Sequence, residues 1–387
     1  MLSHRMGLSR VGDIIMDKYN KTADMRALLA NLEPSEEFRT SFKYNNHMYM
    51  YAGDLVGKLM DPSNPNPTES WMKAVKDVVL NPVGLESAVA SDKEFRKLSN
   101  IALAHADSKT VLPEDINTWL DPVAPAGSIS MNIKDRLRWV EFLINKGTTS
   151  DGKTILKPET FQQLFAPSNL LPTETYMLTG GTPPISAAGL GAIRSTYKGE
   201  TVISHGGNVQ GSVSKTCFFP DRKFGIVSLY TGKNFGSLNF CCDIADRLLF
   251  KDSKTLKYSL EYMKNQKDVS AKQLKALQDE FNGRNKDTKP SFDINTSLGG
   301  YFHPAIGSIV LKKSSTQNSL FQLDLKVDIL PAFPMVHFEH DRFAAPIEFG
   351  QNVTVTFKTD KKLVQGFVFR GNGFTDDIKD GLYFTKL

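Results

Sequence analysis

From Gly189 onward the apolar residues stop recurring at a helical period and begin to alternate, and this change limits what the chain can become. Residues 190–197, 201–204, 213–219 and 224–230 read as strands, the last two joined by the turn Pro220-Asp221-Arg222-Lys223. Successive strands separated by short turns form an antiparallel meander. Residues 238–250 follow as a helix that offers Ile244, Leu248 and Leu249 for packing on that sheet.

The text before this point is helical. Residues 47–60 place Met48, Tyr51, Leu55 and Leu59 on one side, and residues 68–80 start at Thr68 as N-cap ahead of Trp71, Val75, Val78 and Val79. Asn132 caps a further helix with the stripe Ile133, Leu137, Val140 and Ile144, and Gly147 ends it. Helices together with an antiparallel sheet give an α/β chain of the α+β kind. Residues 251–290 are rich in Lys, Asp, Gln and Asn and read as a linker with one short helix, opened by a capping box at Ser270 and Gln273 and continued by Leu274, Leu277 and Phe281. Beyond Pro290 come short β runs at 308–311, 320–327, 336–339, 353–357, 364–369 and 383–385. The expected organisation is therefore a mixed domain over 1–250, a linker over 251–290 and a small antiparallel β domain over 291–387.

Composition excludes several classes. No apolar run in the 387 residues is long enough to span a bilayer. The net charge of +5 is spread among acids rather than gathered in a stripe, so nucleic acid is not an expected partner. Cys217, Cys241 and Cys242 lack the spacing of a disulfide framework. His337, Glu339, His340 and Asp341 are suitable ligand types, but on a strand only His337 and Glu339 share a face, so no metal is expected. No cofactor is implied.

Two short strings carry chemistry: Phe42-Lys43-Tyr44-Asn45-Asn46, and far downstream Ser204-His205-Gly206-Gly207. A tyrosine phenol, with its ordinary pKa of about 10, acts as a base near neutrality only beside positive charge. Asn46 offers a two-sided amide, or simply a turn before the following helix. Gly206 and Gly207 would let a substrate backbone approach a strand, or would form a bulge. His205 brings a group whose charge ordinarily changes near neutral pH.

With the flanking text these strings resemble the serine beta-lactamase-like family, which includes class C beta-lactamases, penicillin-binding-protein-like hydrolases and animal beta-lactamase-domain proteins. Leu2-Ser3-His4-Arg5-Met6-Gly7-Leu8 is similar to the loop that precedes the family's Tyr-x-Asn motif. Pro125-Ala126-Gly127, Gly189-Leu190-Gly191 and His205 through Gly211 follow in the family's order. Gly299 to Pro304 and the later His337, Asp341 and Phe343 look like the family's appended β domain. The resemblance implies hydrolysis of a small-molecule or peptide substrate by acyl transfer, with Tyr44, Asn46 and His205 lining one cleft and Gly206 and Gly207 binding substrate. His4 and Arg5 would fix loop geometry.

The family's nucleophile motif, Ser-x-x-Lys, precedes the Ser-His-Arg loop, and here that loop begins at Ser3. Four later matches exist: Ser70 to Lys73, Ser150 to Lys153, Ser195 to Lys198 and Ser212 to Lys215. The second spans a turn, and the last two lie on strands whose i and i+3 positions face opposite ways. Ser70 is the helical match and is expected on the helix surface. The chain is thus expected to be an inactive portion of a serine hydrolase, with a noncatalytic binding or assembly protein as the alternative.

Overall fold

The computed structural model describes residues 1–9, 26, 29–107, 109–113, 117–172, 185–232, 237–252, 257–285, 287–314, 319–325, 332–345, 353–371, 378 and 380–387. The chain divides into two compact units, one formed by Met1–Gly7 with Glu37–Gln266, the other by Leu8–Glu36 with Lys267–Leu387.

In the first unit, helix α1 (His47–Met60) is joined by a turn to α2 (Pro67–Val75), which runs on through a π-helical turn at Lys76–Leu80. Helix α1 has the expected length but not the expected buried face. Leu55 is 59% exposed and Leu59 is 73% exposed, whereas Met48, Met50, Gly53, Asp54 and Gly57 are buried. The cause is close helix contact: a Cβ on Gly57 would lie 1.9 Å from the Pro67 carbonyl oxygen, and one on Gly53 would lie 2.1 Å from Pro125 Cγ. Glycines four residues apart, not leucines, make the packing face.

The start of α2 also differs from expectation. Asn66 is the N-cap and accepts from Glu69 N–H, while Thr68 is buried and donates to Asp54 Oδ1 at 2.9 Å. Ser70, expected on the surface, is buried beside it.

Helices α3 (Ile133–Ile144) and α4 (Pro158–Phe165) precede a six-stranded sheet in the order β1 (Asn169–Leu170), β2 (Ala187–Ala188), β3 (Ile193–Tyr197), β4 (Glu200–Val209), β5 (Ser212–Phe219) and β6 (Phe224–Thr231). Every pairing is antiparallel. Asn132 caps α3 as expected, accepting from Asp135 N–H at 3.0 Å, yet Ile133 and Leu137 stay exposed. The helix instead buries Val140, Phe142 and Leu143, together with Asp135, whose carboxylate accepts from Ser87 N–H and Oγ–H at 2.6 Å each.

Strand alternation divides the core. Ile203 and Phe218 pack with Val140, Leu143, Phe161 and Phe165 on one face of the sheet. Val202, Cys217, Phe219 and Ile226 pack on the other face against Cys241, Cys242 and Ala245 of α5 (Ser237–Leu248). A single helix α6 (Lys257–Asn282) replaces the short helix expected from Ser270, and the division between units falls within it.

The second unit holds a closed antiparallel barrel of eight strands: β7 (Gly299–His303), β8 (Gly307–Lys313), β9 (Phe321–Asp324), β10 (Phe333–Glu339), β11 (Arg342–Ala344), β12 (Val353–Asp360), β13 (Leu363–Gly371) and β14 (Leu382–Lys386). Pairing of β14 with β7, through Thr385 opposite Phe302, closes it. Eight strands leave an interior that side chains can fill, and Tyr301, Phe321, Phe343, Phe357, Phe367 and Phe384 fill it. Asp341 accepts from Ser291 N–H and Oγ–H, and His337 Nε2 lies 2.8 Å from the His340 carbonyl oxygen. Among the described residues, no three potential metal-binding side chains gather anywhere, and no helix is long and apolar enough to cross a membrane.

Candidate functional site

Tyr44 and Asn46 lie at the N-terminal end of α1. Asn46 is its N-cap residue but caps no N–H with its side chain; that task falls to Asn45, whose Oδ1 accepts from His47 N–H at 2.9 Å. The loop rests on the start of the chain. Lys43 N–H donates to His4 O at 2.9 Å, Asn45 N–H to His4 Nδ1 at 3.1 Å, and Tyr49 Oη–H to Leu2 O at 2.6 Å. Asn169 Nδ2 donates to Ser3 O, and the Arg5 guanidinium donates to the Ser168 and Arg39 carbonyls. Arg5 thus braces a loop, in keeping with the geometric role expected of it. Burial and neighbouring Tyr44 hold the Tyr49 phenol well above its ordinary pKa, so it remains a donor.

His205, Gly206 and Gly207 lie within β4, which the sequence had ended at Ser204. Strand β3 pairs only as far as Ile193 opposite Ser204, whereas β5 continues alongside His205 to Val209. Among the described residues, the 205–209 stretch therefore has a neighbouring strand on one side only. A Cβ on Gly207 would meet Ser214 Oγ at 2.5 Å, the end of a side chain that can rotate away. A Cβ on Gly206 would meet nothing closer than 3.4 Å, so packing does not account for it.

Helix α1 approaches the loop that leads into β3. A Cβ on Gly191, two residues before Ile193, would lie 3.9 Å from Tyr49 Oη, and Tyr49, His4 and Tyr44 form a run of ring contacts at 5.3 and 4.4 Å.

Sequence reasoning expected His205 to change charge near neutrality. Burial, reinforced by the positive charges of Lys215 and Arg136, lowers its pKa to about 4, so the imidazole is neutral through the physiological range. Two cations act on His205 from nearby, Lys215, which the sequence offers only as the end of a Ser-x-x-Lys match, and Arg136, which motif reading missed. Lys215 is 3% exposed and donates to Ser204 Oγ at 3.3 Å. Arg136 Nε–H donates to Thr216 Oγ1 at 2.9 Å, and burial lowers the guanidinium pKa. Their signal is cross-strand register, with Lys215 opposite Gly206 and Thr216 opposite His205, and register is not written in either strand alone.

None of the four Ser-x-x-Lys matches assembles a nucleophile pair. Ser70 is buried, while Lys73 is 83% exposed and pairs with Asp77 at 3.1 Å. Ser150 and Lys153 lie in a surface turn closed by Thr149. Ser195 is buried in β3, and Lys198 pairs with Asp246 at 2.6 Å. Ser212 and Lys215 are three apart on β5 and face opposite ways.

The Beta-lactamase family model matches residues 1–240, well over half of the chain. The chain belongs to the beta-lactamase family. Among curated relatives it is 21% identical over 335 residues to Unguisins hydrolase ungD' of Aspergillus campestris, covering 83% of this chain and 59% of that protein. It is 22% identical over 235 residues to Beta-lactamase-like protein 4 of Dictyostelium discoideum, covering 58% of this chain and 39% of that protein. The chain thus spans less than two thirds of the length of these relatives. Among solved structures, the octameric penicillin-binding protein homologue from Pyrococcus abyssi superposes with a TM-score of 0.53 at 14% identity, over 100% of this chain and 77% of that one. That likeness shows a shared fold.

Proposed function

We propose that this chain forms the tyrosine and strand-edge half of a serine acyl-transfer site that hydrolyses amide, ester or peptide bonds, and that these 387 residues by themselves bind substrate without turning it over. The observation that carries this reading is the one-sided stretch of β4 at 205–209, bearing Gly206 where sheet packing needs no glycine. An extended amide can add to such an edge through main-chain hydrogen bonds. Tyr44 and Asn46 would meet the same ligand, the phenol as a hydrogen-bonding or proton-transferring group and the Asn46 amide as donor and acceptor. Neutral His205 supplies one donor and one acceptor, and Arg136, which bonds Thr216 on the same face of the sheet, favours a substrate that carries a carboxylate. Attack on the acyl carbon would use a serine and lysine supplied in addition to these residues, because the four in-chain pairs are misplaced.

A noncatalytic binding or assembly role is favoured by that same misplacement. Intact-mass analysis after incubation with a fluorophosphonate and with a penicillin tests the point: no adduct is expected on the chain as given. A stoichiometric adduct mapped to Ser70 by peptide sequencing would overturn the reading.

A further inference from the structure

We infer that His4 is a positioning residue for Tyr44, acting through a neutral ring that performs two separable tasks. The inference rests on the reading of Tyr44 as a site residue. His4 is buried, with its backbone in the left-handed region at φ 58°, a conformation that histidine and asparagine tolerate better than most side chains. This backbone setting carries the imidazole beneath the Tyr44-Asn45-Asn46 loop. There Nδ1 accepts the Asn45 N–H at 3.1 Å. A ring nitrogen that accepts from a backbone N–H holds a lone pair, so the proton of the neutral ring is on Nε2.

The second task belongs to the ring face. The imidazole lies 4.4 Å from the Tyr44 ring, tilted by 33°, and is bordered by Tyr49 at 5.3 Å and Phe42 at 5.4 Å. Its carbonyl meanwhile accepts from Lys43 N–H at 2.9 Å. The residues immediately before and after Tyr44 are therefore both tied to His4, and Tyr44 itself rests on the ring. With its flanking peptides fixed and its ring contacted from below, the phenol has little freedom to swing. Such restraint is what a proton-handling group requires, since small displacements at a reacting centre are costly.

The two tasks can be separated by substitution. His4→Asn places an amide oxygen near the Nδ1 position and tolerates the left-handed backbone, but removes the ring. His4→Phe keeps a ring and removes the acceptor. The chain is prepared with 15N-labelled His and Asn and with 13Cζ-labelled Tyr. In the wild type, a through-hydrogen-bond 15N–15N coupling between the Asn45 amide and His4 Nδ1 is expected. His4→Phe should speed hydrogen exchange at the Asn45 amide by about tenfold and leave the Tyr44 Cζ resonance near its place. His4→Asn should keep Asn45 protected and shift Tyr44 Cζ. A residue that only fills space would move both signals together in either variant, and that outcome overturns the inference, as does a wild-type His4 protonated at Nδ1. The wild-type coupling needs no variant, so it tests the acceptor task even if His4→Phe fails to fold, while His4→Asn alone tests the ring. Adding an N-acetyl dipeptide to the wild type separates the two readings. If the dipeptide leaves Tyr44 Cζ unmoved while the variants behave as expected, the site reading falls alone. If it moves Tyr44 Cζ but the variants behave identically, the role of His4 falls alone.

Discussion

Replacing Gly57 by Ala sets helix propensity against packing, and the magnitudes decide the sign. In a helix interior the change from Gly to Ala stabilises by about 1 kcal/mol. In α1, however, the new Cβ would lie 1.9 Å from the Pro67 carbonyl oxygen and 2.8 Å from its carbon, and real Cβ atoms stay beyond 3.0 Å. Backbone of α2, not a flexible side chain, stands in the way, so the two helices must separate by about 1 Å. Overpacking of this kind costs about 1–3 kcal/mol, and more where backbone must move. The net expectation is a loss of about 2 kcal/mol, which for a unit of this size lowers the melting temperature by roughly 4–8 °C. Leu59→Ala is the matched control: a leucine that is 73% exposed should cost under about 0.5 kcal/mol, whereas a buried one would cost about 2–5 kcal/mol. Urea unfolding of both variants, with hydrogen exchange followed over residues 47–80, measures the pair. A neutral Gly57→Ala together with a costly Leu59→Ala would refute the packing face.

Three further outcomes follow from the geometry. Asp243 is buried and its carboxylate accepts from Tyr258 N–H at 3.0 Å and Ser259 N–H at 2.9 Å; Asp243→Ala should cost about 1–3 kcal/mol and raise hydrogen exchange at the start of α6. For His205 the unfolded chain takes up the proton first, near pH 6.5, and the folded chain only near pH 4. Stability is therefore complete above pH 6.5 and falls as pH drops from 6.5 to 4, by on the order of 2 kcal/mol after allowance for partial exposure. His205→Gln should flatten that part of the profile, and a His205 resonance titrating near 6.5 would contradict the assignment. Arg136→Ala should weaken a carboxylate-bearing ligand by about tenfold and leave a neutral amide unaffected, as measured by calorimetric titration.

The fold was legible where local pattern determines it. The bounds of α1, the Asn132 cap and strands β5 and β6 follow from periodicity, caps and a four-residue turn. The buried face of α1 was not, because two glycines contribute almost nothing to an apolar count yet permit the closest helix contact. The extension of β4 through His205 to Val209 was hidden by glycine and asparagine, which disfavour strands in isolation and are held here by pairing with β5. The closure of the barrel escaped because it depends on partners distant in sequence, Phe302 with Thr385, whereas β7 and β11 are short strands that pair with their sequence neighbours β8, β10 and β12. At the site, residue types pointed to Tyr44, Asn46 and His205, but the neutral state of His205 depends on burial and on Lys215 and Arg136, reached across a strand and from α3.

A single ligand should meet both Tyr44 with Asn46 and the edge of β4. A crystal structure of the chain with a bound N-acetyl dipeptide bearing a free carboxylate measures this. The expected result is main-chain hydrogen bonding to β4 within 205–209, with Tyr44 Oη and the Asn46 amide contacting the same molecule. A dipeptide bound elsewhere, or Tyr44 and His205 held farther apart than the ligand can span, would contradict it.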